Sequence, residues 1–122
     1  MRILIAHNHY GNYDIGGEAQ VVSTETTLLR QQGHEVYVYE RTNAELMASG
    51  YIGALLKMFR CTWSDVSRDE IGQIMDLFKP EVLHVHNYKW LLTPSIFAAA
   101  KDRHIGTVLT LHNYRLACPA GQ

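Results

Sequence analysis

Residues 67–86 read SRDEIGQIMDLFKPEVLHVH and join a helix pattern directly to a strand pattern. Ser67 and Glu70 fit a capping box at the start of the helix. The apolar residues that follow recur at the helical spacing i, i+3, i+4 and i+7, and they are Ile71, Ile74, Met75 and Phe78. Pro80 ends this helix, and the run from Val82 to His86 is typical of a buried strand. The stretch therefore predicts part of a βαβ unit, the building block of a parallel sheet.

The alternation of helix and strand patterns continues on both sides of this stretch. Further strands are predicted at residues 2–6, 36–39 and 107–111. A helix at 18–32 ends at a cap on Gly33, and another runs from Pro94 to about Arg103 with Thr93 as its N-cap. Right-handed crossovers around a central first strand give the strand order 2-1-3-4. The predicted fold class is α/β, a Rossmann-like parallel sheet with flanking helices.

Composition limits the classes of protein that the chain fits. Its 122 residues, 47% hydrophobic and 19% charged, suit one globular domain. A net charge of -1 argues against a nucleic-acid partner, which would need a basic face. The start of the chain shows no leader pattern, and no apolar run is long enough to span a bilayer. Cys61 and Cys118 form no disulfide framework, so we expect a reducing cytoplasm as the location.

Polar side chains gather where the predicted strands end, at the edge where parallel sheets bind ligands. They are His7, His9, His86, Asn87, His112 and Asn113. Gly16 and Gly17 precede the first helix, and their backbone N–H groups could hold a phosphate there or form an ordinary flexible turn. We expect His84 to be a neutral core histidine with a hydrogen-bond partner. For His86, a core role and a ligand-facing role are equally favoured. His112 is the strongest candidate for a functional side chain because it lies where the chain leaves the sheet.

A metal site is not predicted. The His84–His86 pair with His112 or His9 could bind a cation. However, Asp14 and Glu18 are the only acidic residues in the neighbouring strand-end loops. We therefore predict neither a metal nor another cofactor.

Residues 44–63 leave two interpretations open. Lys57 and Arg60 stand among apolar residues, as in a helix that lies on a membrane surface or accepts an amphiphilic substrate. An ordinary packed helix is the preferred alternative. A peripheral contact with the inner membrane face stays an expectation of the first interpretation.

Five segments resemble the N-terminal, acceptor-side domain of the group-one retaining glycosyltransferases, which have the GT-B fold. They are MRILIAH at 1–7, GGEAQVV at 16–22, QQGHEV from 31, KPEVLHVHN at 79–87 and TVLTLHNYRLACP at 107–119. The resemblance implies two Rossmann-like domains facing each other across a cleft. This half would hold a glycan, lipid or small-molecule acceptor, and the other half would hold the nucleotide-sugar donor.

The resemblance also implies roles for individual residues. Gly16 and Gly17 would contact the donor diphosphate, and His112 would be the catalytic residue beside the donor sugar. The residues expected to line the cleft are His9, His86, Asn87 and Asn113. The resemblance also implies a metal-independent reaction, as is usual for retaining members of this fold, which agrees with the scarcity of carboxylates.

The chain departs from the family in length. The donor-binding domain with its paired-glutamate signature is absent, so residues 1–122 are expected to be one truncated domain that is inactive alone. Residues 107–111 would then form an open, apolar edge strand, from which we expect a homodimer or a lower solubility than the composition suggests. Two other functions stay open: a stand-alone phosphate- or nucleotide-binding module, and a metal-dependent hydrolase that uses the histidines.

Overall fold

The computed structural model describes residues 1–11, 17–48, 50, 53, 55, 62–114 and 118. The strands are β1 (Arg2–His9), β2 (Glu35–Thr42), β3 (Val82–Asn87) and β4 (Gly106–Leu109). Among the described residues, helices form at α1 (Gly17–Gln31), α2 (Ala44–Met47), α3 (Asp65–Phe78) and α4 (Ser95–Asp102). Gly16 and half of the residues at 44–63, among them Lys57 and Arg60, lie outside the described residues.

The described strands form one parallel sheet in the order β2-β1-β3-β4, which confirms the predicted order and fold class. β4 pairs with β3 and, within the described residues, has no second neighbour. Val108 on this edge is 49% exposed. The expected homodimer stays a prediction.

One face of the sheet packs against α3 and α4. The buried residues of this apolar face are Leu4, Ala6, Ile71, Met75, Leu83, Val85, Leu92, Ile96, Ala99 and Ala100. The stripe predicted at residues 71–78 supplies α3's side of the contact, with Ile71 and Met75 buried. Burial of these side chains is the main stabilising contribution in the domain.

α1 covers the other face, on which apolar packing is confined to one end. Ile3, Ile5 and Val22 form a small buried cluster near the start of the strands. Towards the strand ends the same face carries histidines instead. Gly33 adopts a positive φ of 83° after the end of α1, and this confirms its predicted role as a cap.

The start of α3 differs from the prediction. Ser64 is the N-cap, and its side chain accepts a hydrogen bond from the backbone N–H of Ser67. The predicted capping box of Ser67 and Glu70 is wrong because both side chains have other partners. Ser67 Oγ donates to the carbonyl oxygen of Leu91, and Glu70 accepts from Arg41.

Other boundaries also moved: β2 is longer than the predicted 36–39, and β4 ends at Leu109 instead of residue 111. β1 continues to His9, so His7 and His9 lie in the strand and not in a loop after it, since β2 pairs with β1 as far as Thr42. α4 begins at Ser95, one residue later than predicted, and its N-cap is Pro94, so the predicted N-cap role of Thr93 is wrong. Thr93 Oγ1 accepts from the backbone N–H of Ser95 at 3.4 Å. No helix among the described residues is long and apolar enough to cross a membrane.

Candidate functional site

The histidines of three strands meet on the α1 face of the sheet, and we call this group the histidine cluster. Its members are His7 and His9 from β1, His84 and His86 from β3, and His112 just after β4. The ring centroids of His84 and His86 are 4.4 Å apart, and those of His86 and His112 are 5.3 Å apart. The parallel sheet thus gathers residues that are up to 105 positions apart in the sequence.

Glu25 of α1 lies over the β3 histidines and contacts both of them. Its Oε1 is 2.9 Å from Nδ1 of His84, and its Oε2 is 3.3 Å from Nε2 of His86. The carboxylate is partly shielded, with 29% of the side chain exposed. Glu25 is therefore the acidic member of the cluster and ties α1 to the sheet.

His86 occupies the centre of the histidine cluster. Its side chain is fully buried, and its Nδ1 is 3.0 Å from Nε2 of His112. Burial, together with the nearby His84, His112 and His7, lowers the pKa of His86 to about 4. His86 is therefore a neutral imidazole at pH 7, able to donate one hydrogen bond and accept another.

His84 has a partner on each side, which agrees with its predicted role as a hydrogen-bonded core histidine. Its Nε2 is 2.8 Å from Oγ1 of Thr110, and its Nδ1 faces Glu25. Its side chain is 12% exposed. The two contacts fix the orientation of this ring.

His7 and His9 form the β1 side of the cluster. The His7 ring is buried and lies 4.5 Å from the ring of His9, edge to face, and 6.5 Å from that of His86. Nε2 of His9 is 3.1 Å from Oε1 of Glu40. His9, predicted to line a cleft, thus contacts a carboxylate of β2 at the C-terminal edge of the sheet, which we call the rim.

A β-bulge sits in the middle of this region. Ala6 pairs with Val85, but the next β1 residue, His7, pairs with Asn87, so β3 carries one extra residue. His86 and Asn87 are consecutive, yet both reach α1, through Glu25 and Glu18 respectively. Bulges commonly redirect side chains in this way next to functional sites.

Asn87 and Asn113 were both predicted to line a cleft. Asn87 is buried, and its Nδ2 donates to the carbonyl oxygen of Asn8 at 3.0 Å. Its Oδ1 accepts from the backbone N–H of Lys89 at 3.0 Å, so Asn87 also fixes the start of the next loop. Asn113 lies beside His112 in a small pocket at the ends of β3 and β4.

That pocket has an accessible volume of about 30 Å³, which is room for about one water molecule. Its lining residues are His86, Asn87, Tyr88, Lys89, Leu109, Thr110, Leu111, His112 and Asn113. The described residues therefore offer a shallow wall at this position and do not enclose a ligand.

Gly17 is the first residue of α1, next to the rim. A methyl group at this position would meet no atom within 4 Å, so packing among the described residues does not require a glycine here. Free N–H groups at a helix N-terminus favour anions. The predicted phosphate contact is thus sterically open at Gly17, while its partner Gly16 lies outside the described residues.

Sequence reasoning found the histidines but missed Glu25 and Thr110. Glu25 lies on the stripe of α1 that packs on the sheet, three residues after Val22 and four before Leu29. An acidic residue within an apolar stripe was the available signal. Thr110 alternates with Val108 on β4's continuation and gave no separate signal.

A comparison with known protein families identifies a family that the chain matches. The model of Glycosyltransferase Family 4 matches residues 15–117 of the chain. No curated protein and no solved structure matches it. The matched range contains Gly17, Glu25, His84, His86 and His112.

Proposed function

The chain belongs to glycosyltransferase family 4, and on that premise we propose that it forms the acceptor-side half of a retaining glycosyltransferase. The reaction moves a sugar from a nucleotide-sugar donor to a glycan, lipid or small-molecule acceptor. The family match is the observation that supports the proposal most directly. The matched segment brings His112 and the start of α1 to the same rim of the sheet.

The geometry supports separate roles for the residues at that rim. Gly17 at the start of α1 offers backbone N–H groups to the donor diphosphate. His112 lies beside the transferred sugar, and its ring is held by the hydrogen bond to His86. A positioned side chain of this kind orients the sugar for transfer.

The shallow pocket supports a site shared between two domains. About 30 Å³ is far below the volume of roughly 300 Å³ at which small-molecule pockets begin. The donor therefore needs a second wall, which we assign to a donor-binding domain. The 122-residue chain alone is expected to show no transfer, because catalysis needs preorganised groups on both sides of the sugar.

The test is His112→Ala in the complete glycosyltransferase that contains this chain, assayed with a panel of nucleoside-diphosphate sugars. Loss of a group that orients the sugar should lower kcat by at least about 100-fold, on the scale of other single transition-state contacts. His104→Asn is the matched control, because His104 is exposed in the turn before β4, at the opposite end of the sheet.

Activity within threefold of wild type in His112→Ala would remove the assigned role of this residue. The anomeric configuration of the product, read by NMR, tests the retaining mechanism separately. A product of inverted configuration would contradict that part of the proposal and leave the role of His112 intact.

A further inference from the structure

We propose that Glu25, His84 and His86 bind a divalent cation of the zinc class. Within the described residues, one ligand atom from each side chain lies within 4.8 Å of the other two. The site joins α1 to β3 on the α1 face of the sheet. It is a separate property from sugar transfer and does not depend on the proposed function.

The contact between His86 and Glu25 has the spacing of two metal ligands. Nε2 of His86 is 3.3 Å from Oε2 of Glu25. The same nitrogen is buried and makes no hydrogen bond to any described residue. Two ligands that bind zinc tetrahedrally through bonds of about 2.0–2.1 Å are about 3.3 Å apart. A buried nitrogen that faces a carboxylate without bonding to it is explained by a cation between them.

The second nitrogen of each imidazole is already occupied. Nε2 of His84 is 2.8 Å from Oγ1 of Thr110, and Nδ1 of His86 is 3.0 Å from Nε2 of His112. In metal sites, a ligating histidine typically donates its other N–H group in this way, which fixes the ring and its tautomer. With those protons on the outer nitrogens, Nδ1 of His84 and Nε2 of His86 keep their lone pairs towards Glu25.

The three ligand atoms determine which class of cation the site prefers. Two imidazole nitrogens and one carboxylate oxygen suit zinc and its neighbours, whereas calcium and magnesium prefer oxygen ligands throughout. Three protein ligands leave the fourth tetrahedral position to water or another small ligand. The sequence predicts no metal site when Asp14 and Glu18 are taken as the acidic residues near the histidines. The structure instead places Glu25 beside them.

The experiment measures metal binding and not sugar transfer, so its outcome is independent of the proposed function. The full 122-residue chain is purified without a histidine tag, treated with a chelator and titrated with zinc chloride in a calorimeter. Cobalt chloride provides a second readout, because tetrahedral cobalt with nitrogen ligands absorbs visible light. We expect the chain to bind one equivalent of zinc tightly and the cobalt-loaded chain to show absorption bands in the visible range.

The deciding variant is Glu25→Gln, which keeps the shape of the side chain and removes its charge. It should weaken zinc binding by at least about tenfold, the smallest loss typical of a perturbed metal site. Glu40→Gln is the matched control, because Glu40 contacts His9 and lies outside the three-ligand cluster. His84→Asn serves as a second variant if circular dichroism shows that Glu25→Gln does not fold.

Two results would overturn the proposal. One is the absence of a tight zinc equivalent in the wild-type chain, which would reduce the cluster to a hydrogen-bonded network. The other is equal zinc affinity in the wild-type chain and a folded Glu25→Gln variant, which would place any bound zinc elsewhere.

Discussion

One face of the sheet is apolar and the other carries polar side chains, and β3 shows this difference within four consecutive residues. Leu83 and Val85 are fully buried in the apolar face beneath α3 and α4. His84 and His86, which alternate with them, belong to the histidine cluster beneath α1. One strand therefore contributes hydrophobic burial on one side and polar contacts on the other.

The difference shows which face of the sheet stabilises the domain and which face carries its functional groups. Apolar burial needs only complementary shape and contributes about 25 cal/mol for each Å² removed from water. The buried polar groups of the histidine cluster must each find a partner, and their net contribution is small. Mutations on the apolar face should therefore cost stability, whereas mutations on the histidine face should mainly cost function.

The largest effect on stability is expected for Ile71→Ala on the apolar face. Ile71 is fully buried, so its truncation leaves a cavity and should lower the free energy of unfolding by about 2–5 kcal/mol. Urea denaturation followed by circular dichroism measures this. Leu77→Ala on the same helix is the control: Leu77 is 86% exposed, and its change should stay within about 0.5 kcal/mol. Equal losses in the two variants would contradict the assignment of the core.

A smaller loss is expected for Thr110→Val on the histidine face. The substitution keeps the shape of the side chain but removes the hydroxyl partner of His84 Nε2. The free energy of unfolding should fall by roughly 1–2 kcal/mol, because a largely buried ring nitrogen loses its hydrogen bond. Thr110→Ser keeps the hydroxyl and should recover most of the loss. Thermal denaturation of both variants decides whether the hydroxyl or the methyl group matters.

Ser64→Ala tests the revised start of α3 and thereby the anchoring of the apolar face. Removing the N-cap oxygen should cost about 1 kcal/mol. Ser23→Ala, at an exposed position inside α1, is the control and should be neutral or slightly stabilising, because alanine is the better helix former. A neutral result for Ser64→Ala in urea denaturation would remove its role as the cap.

The smallest effect on stability is expected for Gly17→Ala at the rim. The added methyl group meets no atom within 4 Å, so the change should stay within about 0.5 kcal/mol. Gly33→Ala is the contrasting control, since its positive φ of 83° should make the same substitution cost about 1–2 kcal/mol. In the proposed glycosyltransferase, Gly17→Ala should raise KM for the donor. An unchanged KM would argue against a phosphate contact at this residue.

Most of the fold could be predicted from the sequence because its apolar patterns are strong and local. The buried run at 82–86 and the stripe from Ile71 to Phe78 set a helix and a strand, and the crossover rule then set the strand order. The cap of α3 could not be predicted in the same way. Ser64 and Ser67 both suit an N-cap, and only the contact of Ser67 with Leu91 in a distant loop decides between them.

The candidate site could be predicted only in part, for a related reason. The histidines follow strands, and the position of parallel strand ends is a property of the topology. Glu25 comes from the middle of a helix, where an acidic residue usually faces solvent. Its contact with His84 and His86 depends on how α1 is rotated over the sheet, and the periodicity of apolar residues on α1 does not define that rotation closely enough.

The extra residue in β3 constrains the length of this strand. Deleting His86 would restore even pairing with β1, because Asn87 already pairs with His7, but only one of the two consecutive side chains that reach α1 would remain. The backbone would also lose the bulge that sets the position of Asn87 against the carbonyl group of Asn8. A lineage that carries this sheet should therefore accept few insertions or deletions in β3.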